Sequence, residues 1–155
     1  MTPYDSTIDT LKHRELVVYY IHLIIDELMT RAELHDLSKL SPEEKPLFDE
    51  FTPKLKATPY GSPEYHENVA RLGEALKHHY AVNRHHVEHF PDGVKGMNLV
   101  DLIEMICDWK ASTYRQQGGN LLRSIDLNTD RLQHSDQLVT IFENTAKEIL
   151  ERNPQ

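Results

Sequence analysis

The sequence is almost free of cysteine. Cys107 is the single thiol among 155 residues, which excludes an intramolecular disulfide and any zinc site built on several thiolates. Long hydrophobic runs are also missing, because the longest apolar stretch, LVVYYIHLII, contains His22 and is too short to span a bilayer. The first fifteen residues lack the basic-then-apolar pattern of a signal peptide. These absences predict a cytoplasmic protein without a membrane partner.

Positive charge is scarce as well. The chain carries 17 Lys and Arg against 25 Asp and Glu, which gives a net charge of −8 with histidine neutral. A general nucleic-acid or anionic-membrane binder needs many cations to offset phosphate, so neither activity is expected. A small anionic substrate held through a metal ion remains compatible with this charge.

The apolar residues recur at helical spacing in most segments, and no segment alternates with a period of two. With 39% hydrophobic and 27% charged residues, the chain has the composition and length of one soluble globular domain spanning residues 1–155. We therefore predict an all-α, single-domain helical bundle of five to seven helices. The predicted helical segments are 6–29, 31–39, 41–51, 62–83, 98–116, 120–126 and 135–152.

Serine–proline pairs mark two predicted helix starts. Ser41 is followed by Pro42 and, three residues after the serine, by Glu44, which is the pattern of a capping box. Ser62 and Pro63 repeat this start, and Gly118 and Gly119 are predicted to end the helix over 98–116. Glu44 is accordingly assigned to helix capping rather than to proton transfer.

Histidine is abundant, with ten residues, and the first helix carries two of them. At 100° per residue, His13 and His22 point to opposite faces of this helix. His13 shares its face with Val17, Tyr20 and Ile24 and is predicted to point inward. Two readings stay open for His13: a metal ligand, or a core histidine satisfied by a neighbouring carbonyl.

The segment KHHYAVNRHHVEH, residues 77–89, holds five further histidines. Cationic groups suit the C-terminal end of a helix, which is one explanation of the cluster. Imidazole is also the commonest protein ligand of divalent transition metals, and five histidines beside a loop favour that explanation. The pattern does not choose between His78 and His79, or between His85 and His86; we take His79 and His85 as the candidates.

The following helix places Asp101, Glu104 and Asp108 on one face, where a solvated acidic stripe is the alternative for the first two. Helical bundles build metal centres from side chains that project from facing helices. A set without thiolates suits one or two ions of Mn, Fe, Co, Ni or Zn, and Glu88 and Glu104 are candidates to bind the second nitrogen of a ligating histidine. The candidate ligands are His13, His35, Asp36, His79, His85 and Asp108.

The order of these residues resembles that of the HD-domain metal-dependent phosphohydrolase superfamily. The resemblance depends on His13, on AELHDLSK at 32–39 and on EMICDWKAS at 104–112. The whole chain also resembles an uncharacterised family of short phage and bacterial HD-like proteins that contain HDLSK and NxHHxE. The sequence FPDG departs from the glycine-rich motif of the cyclic-dinucleotide branch, so a cyclic dinucleotide is not the expected substrate.

The resemblance implies a metal-dependent phosphohydrolase that acts on a nucleotide or another small phosphate ester, in the host cytoplasm if the protein is phage-encoded. It implies that His13, His35, Asp36 and Asp108 hold the first ion, and that Asp36 bridges to a second ion on His79 and His85. The expected catalytic residues are Asp36, Lys39 and Arg84. Lys39 would place a positive charge on a phosphate oxygen, and Arg84 would bind the phosphate through two hydrogen bonds. Each residue also has a structural alternative. Lys39 would offset the partial negative charge at the C-terminal end of its short helix, and Arg84 would be a solvated side chain.

Two other functions fit the same residues. An HD-type di-iron oxygenase would use the same ligands, and a non-catalytic phage protein would bind a host factor or sequester a nucleotide. A homodimer is also compatible with the sequence. Tyr80, Trp109 and Tyr114 are expected in the core more than on a nucleobase, and Cys107 is expected to be a buried, inert thiol.

Overall fold

The computed structural model describes residues 4–115, 119–133 and 135–151, and over these residues the chain is helical without a β-strand. Seven α-helices lie in this described part, which confirms the prediction of an all-α protein with five to seven helices. They are α1 (Thr7–Leu34), α2 (Lys45–Ala57), α3 (Pro63–Ala70), α4 (Gly73–Val82), α5 (Leu99–Thr113), α6 (Leu121–Leu127) and α7 (Asp136–Thr145). Short 3-10 turns cover Leu37–Leu40, Val87–His89 and Gly93–Gly96, and a π-helical turn, Ala146–Leu150, follows α7. None of the described helices is both long and apolar enough to cross a bilayer.

The chain divides into two compact units, Met1–His35 and Asp36–Gln155. The helix of the first unit, α1, contains no buried residue. Sequence analysis predicted a break near residue 30, but α1 continues to Leu34 because the intervening residues are good helix formers. The helix ends just before Asp36, whose φ of 59° no α-helix accommodates. The prediction of a single domain over 1–155 stays a prediction.

The second unit holds α2–α7 and the hydrophobic core. Helix α5 supplies Trp109, whose ring lies 5.8 Å from the ring of Phe142 on α7. Trp109 is thus a core residue, whereas Tyr114 is 61% exposed. The buried members of this core are Val87, Met105, Ile106, Trp109, Leu121, Ile125, Leu132, Phe142 and Ala146.

The long helix predicted over 62–83 is divided in two at Gly73. This glycine has a φ of 51°, a left-handed conformation that costs glycine little, and it begins α4 after α3 has ended at Ala70. The predicted start is confirmed, because the Ser62 side chain accepts a hydrogen bond from the Tyr65 N–H at 3.1 Å. The break sets the direction of α4, which carries His79.

The start predicted at Ser41 is wrong. Helix α2 begins at Lys45, and Glu44 precedes it with no capping hydrogen bond from its side chain. The physical reason is that the Glu44 carboxylate, which has no exposed surface, binds histidines instead. Helix α5 does begin with a capping box, formed by Asn98 and Asp101. It ends at Thr113, and the predicted end at Gly118 lies outside the described residues.

Candidate metal centre

Asp36 lies at the tight turn before the 3-10 segment Leu37–Leu40. Its backbone is left-handed, with φ 59° and ψ 7°, a conformation that aspartate tolerates better than most residues. One carboxylate oxygen, Oδ2, accepts a hydrogen bond from Lys39 Nζ at 2.5 Å. Only 14% of the Asp36 side chain is exposed. The Lys39 ammonium therefore neutralises one side of this carboxylate, and its predicted role on a phosphate oxygen stays a prediction.

The second oxygen of Asp36, Oδ1, faces two buried histidines. Nε2 of His79 lies 3.3 Å away and Nε2 of His85 lies 3.5 Å away, and each histidine side chain is 2% exposed. A carboxylate oxygen of Asp108, on α5, lies within 4.8 Å of one of Asp36. Within the second unit the structure thus places His79, His85 and Asp108 near Asp36, with His79 and His85 on the two sides of Oδ1.

Glu44 fixes the orientation of His79. Its Oε2 lies 2.9 Å from Nδ1 of His79, and its Oε1 lies 2.7 Å from Nδ1 of His78. Ser38 donates its hydroxyl to Oε2 at 3.0 Å, and Asn83 donates to the Ser38 oxygen at 2.7 Å. His78 is 38% exposed, so of the two adjacent histidines it is His79 that enters the cluster. The role of Glu44 is visible only in the tertiary structure.

Glu104 orients His85 through Nδ1, as Glu44 orients His79. Its Oε1 lies 3.1 Å from Nδ1 of His85. The alternative of a solvated acidic stripe is wrong, because Asp101 and Glu104 are 0% and 8% exposed. Glu88, the other expected supplier, instead accepts a hydrogen bond from Arg131.

The two glutamates indicate which ring nitrogens carry hydrogen, although Nδ2 of Asn83 also lies 3.0 Å from Nδ1 of His79. An ionised carboxylate only accepts hydrogen bonds, so neutral His79 and His85 each donate Nδ1–H to their glutamate. Their Nε2 lone pairs then point to the same Asp36 oxygen. Asp36 Oδ1 thus lies 3.3 Å from Nε2 of His79 and 3.5 Å from Nε2 of His85, and all three atoms can bind an ion. Ligand atoms of a tetrahedral ion with bonds of about 2.1 Å lie roughly 3.4 Å apart, so this donor set fits a divalent transition metal.

A ring nitrogen of His86 also lies within 4.8 Å of the ligand atoms of Asp36, His79 and His85, but its other contacts differ from theirs. Its Nε2 lies 2.9 Å from Nε2 of His79, and its Nδ1 lies 3.3 Å from Nη2 of Arg131. Its ring centroid is 4.1 Å from that of His85 and 4.8 Å from that of Tyr80. Burial, together with the neighbouring histidines and Arg131, lowers the pKa of His86 far below its ordinary value, so its ring is neutral.

Three sequence candidates remain, His13 and His35 in the first unit and Arg84 in the second. His13 is exposed on α1 and His35 is the residue at which the first unit ends, directly before Asp36 in the chain. Their ligand roles stay predictions. Arg84 binds the buried Asp101 through both arms, Nε to Oδ1 at 3.0 Å and Nη2 to Oδ2 at 2.9 Å. The contact assigns the bidentate fork of Arg84 to Asp101, and its predicted use as a phosphate clamp gains no support.

Cys107 is exposed, so the prediction of a buried thiol is wrong. Partial desolvation and the nearby carboxylates of Glu104 and Asp108 raise the pKa of the thiol. Cys107 therefore stays protonated and unreactive near neutral pH, as an inert thiol should.

Arg131 is a residue that sequence analysis missed. Its Nη2 donates to Glu88 Oε2 at 2.8 Å, in addition to its contact with His86. Burial alone would lower the pKa of the guanidinium, but the Glu88 carboxylate holds that pKa above its ordinary value. Arg131 and Glu88 line an open groove of about 640 Å³, whose lining also includes Phe90 and Lys95. No local motif marks Arg131, since its partners are more than forty residues away in the sequence.

Comparison with known proteins identifies a family for this chain. No curated protein and no solved structure matches the chain significantly. One family model does match, over residues 2–152. Because that match covers almost the whole sequence, the chain belongs to this family, which is described as a family of unknown function (DUF5662).

Proposed function

We propose that the cluster around Asp36 binds a divalent transition metal, and that the protein is a metal-dependent phosphohydrolase for a nucleotide or another small phosphate ester. The observation that supports metal binding most strongly is the convergence of His79 Nε2 and His85 Nε2 on Asp36 Oδ1. Carboxylates behind both histidines are the arrangement that orients metal-bound imidazoles in proteins. The resemblance to HD-domain phosphohydrolases supports the choice of reaction.

Some residues of the cluster would bind the ion, and others orient the side chains that bind it. His79, His85 and Asp36 would hold the ion, with Asp108 close enough to Asp36 to join them or to help hold a second ion. Glu44 and Glu104 keep the two histidines in the Nδ1–H tautomer. Lys39 donates a hydrogen bond to Oδ2 of Asp36 and so leaves Oδ1 to face the histidines. A bound divalent ion supplies a Lewis acid that polarises a phosphoryl oxygen and lowers the pKa of water.

A donor set of nitrogen and carboxylate oxygen fits Mn, Fe, Co, Ni or Zn. We place the activity in the cytoplasm, the host's if the protein is phage-encoded, where small phosphate esters such as nucleotides are abundant. The acidic net charge of −8 is compatible with this substrate class because an ion, rather than a basic surface, attracts the phosphate.

The first experiment measures metal binding. Protein stripped with a chelator is titrated separately with Zn²⁺, Mn²⁺, Co²⁺ and Ni²⁺, and bound metal is measured after desalting. We expect at least one ion per chain in the wild type and none in His85→Ala. The exposed His66 supplies the control, since His66→Ala should retain the metal. A wild-type protein that binds no ion at micromolar concentration would overturn the proposal.

The second experiment measures the reaction. Metal-loaded protein is incubated with a panel of nucleoside mono-, di- and triphosphates and simple phosphate esters, and released phosphate is measured. We expect metal-dependent release that is lost in His85→Ala. Oxygen consumption by the Fe²⁺-loaded protein without phosphate release would identify an oxygenase instead. Stoichiometric nucleotide binding without turnover would identify a sequestering protein.

A further inference from the structure

We propose that His86 is not a ligand of the ion but donates a hydrogen bond from Nε2 to the phosphate of the substrate, in a tautomer that Arg131 holds in place. The inference rests on the proposed function, because the phosphate ester is its target. It separates His86 from His85, the two neighbours that the sequence left equivalent.

The contact with Arg131 fixes the tautomer of His86. A guanidinium has five N–H donors and no acceptor, so at 3.3 Å Nη2 of Arg131 can only donate to Nδ1 of His86. The hydrogen of the neutral imidazole must then be on Nε2. His79 and His85 have the opposite tautomer, since their Nδ1 atoms face Glu44 and Glu104.

The distances within the cluster agree with this assignment. Nε2 of His86 lies 2.9 Å from Nε2 of His79, which is a hydrogen-bond distance between a donor and a lone pair. The two contacts to Asp36 Oδ1, at 3.3 Å and 3.5 Å, have the longer spacing of atoms that share an ion. When an ion takes the lone pair of His79, the N–H of His86 needs another acceptor. When a substrate is bound, one of its phosphate oxygens can accept this hydrogen bond.

Arg131 is placed to act on both His86 and the substrate. Glu88 anchors its Nη2 at 2.8 Å, and its side chain lines the open groove of about 640 Å³. Its Nε is buried and has no hydrogen-bond partner among residues 4–115, 119–133 and 135–151. The groove has room for the organic part of a phosphate ester beside Arg131, which in turn contacts His86 outside the groove lining. Arg131 is thus a positioning residue for His86 that borders the substrate space itself.

The direct test reads the tautomer by NMR. Protein labelled with ¹⁵N-histidine is recorded without metal and after one equivalent of Zn²⁺, and the His86 signals are assigned by comparison with His86→Gln. We expect His86 to carry its hydrogen on Nε2 in both states, while Nε2 of His79 and His85 shifts on zinc binding. A zinc-bound Nε2 of His86, or an Nδ1–H tautomer in the metal-free protein, would overturn the inference.

A second test uses binding of inorganic phosphate. His86→Gln and Arg131→Ala should keep the zinc content of the wild type, and Arg131→Ala should weaken phosphate binding to the zinc-loaded protein roughly ten- to hundredfold. Arg131→Lys should retain part of the affinity, because lysine still donates to Nδ1. Arg123→Ala, at an exposed arginine on α6, is the matched control. Unchanged phosphate affinity in Arg131→Ala, or loss of zinc in His86→Gln, would contradict the inference.

The two proposals fail in different ways. If the wild type binds no metal, the proposed function fails, and the metal-free spectrum still decides the tautomer of His86. If metal binds to His79 and His85 but also to His86, the inference fails and the metal centre stands.

Discussion

Nδ1 of His79 lies 2.9 Å from Oε2 of Glu44, a carboxylate without exposed surface that precedes α2. The same carboxylate binds His78 and Ser38, so both of its oxygens are used. Burying this charge costs several kcal/mol unless partners compensate for the lost water. The histidine and hydroxyl donors provide that compensation. Because Nδ1 of His79 faces Glu44, the lone pair on Nε2 of His79 faces Asp36.

Glu44→Gln should weaken metal binding about ten- to hundredfold while the fold is kept. The substitution puts an amide N–H₂ where one carboxylate oxygen accepts a hydrogen, so His78 or His79 loses its acceptor. The dissociation constant is measured by competition with a chromophoric chelator. Glu43→Gln removes the same charge from the exposed neighbouring residue and should leave the affinity unchanged. Equal losses in the two variants would show that only the net charge matters.

Asp36→Asn should abolish metal binding with little change in the melting temperature of the metal-free protein. Asparagine also tolerates the left-handed backbone of this residue, at φ 59°, and it keeps the shape of the side chain but removes its charge. Asp36→Ala should in addition destabilise the metal-free protein by about 1 kcal/mol, because alanine is strained at positive φ. Metal content and thermal unfolding are measured together for both variants. Retention of the ion by Asp36→Asn would remove Asp36 from the ligand set.

Arg84→Ala should lower the free energy of unfolding by about 1–2 kcal/mol without a change in KM for a phosphate substrate. The reason is its bidentate contact with Asp101, which is buried and also caps α5. A double-mutant cycle with Asp101→Asn, measured by urea unfolding, should show coupling between the two residues. A rise in KM at unchanged stability would instead support the phosphate clamp that the sequence predicts.

Tyr65 should make stability fall at high pH. Burial, followed by the neighbouring Tyr60, raises the pKa of its hydroxyl from 10.0 to about 12. The unfolded chain therefore releases this proton at a lower pH than the folded protein does, and the stabilisation present below pH 10 is lost as the pH rises toward 12. The free energy of unfolding is measured between pH 9 and pH 12. Tyr65→Phe should show a smaller decline, whereas an identical decline in both proteins would contradict the shift.

Local signals in the sequence predicted most of the helices. The 3.6-residue periodicity identified the all-α class, and the Ser62 cap is found where its motif indicates, because such caps depend on neighbours three residues apart. Errors arose where a left-handed backbone conformation or a tertiary contact outweighs local preference. Gly73 divides a helix that its flanking residues would continue, and Glu44 binds histidines instead of capping α2.

The sequence by itself determined the helical class and the supply of imidazole and carboxylate groups. It also gave the six candidates His13, His35, Asp36, His79, His85 and Asp108, without choosing between His78 and His79 or between His85 and His86. Only the tertiary structure decided that Glu44 and Glu104 lie behind two of the histidines, that the Arg84 fork binds Asp101, and that Arg131 reaches His86. Helical periodicity shows which face of a helix a side chain occupies. The partner across the fold depends on how helices distant in the sequence pack together, and that packing is set by the whole core at once.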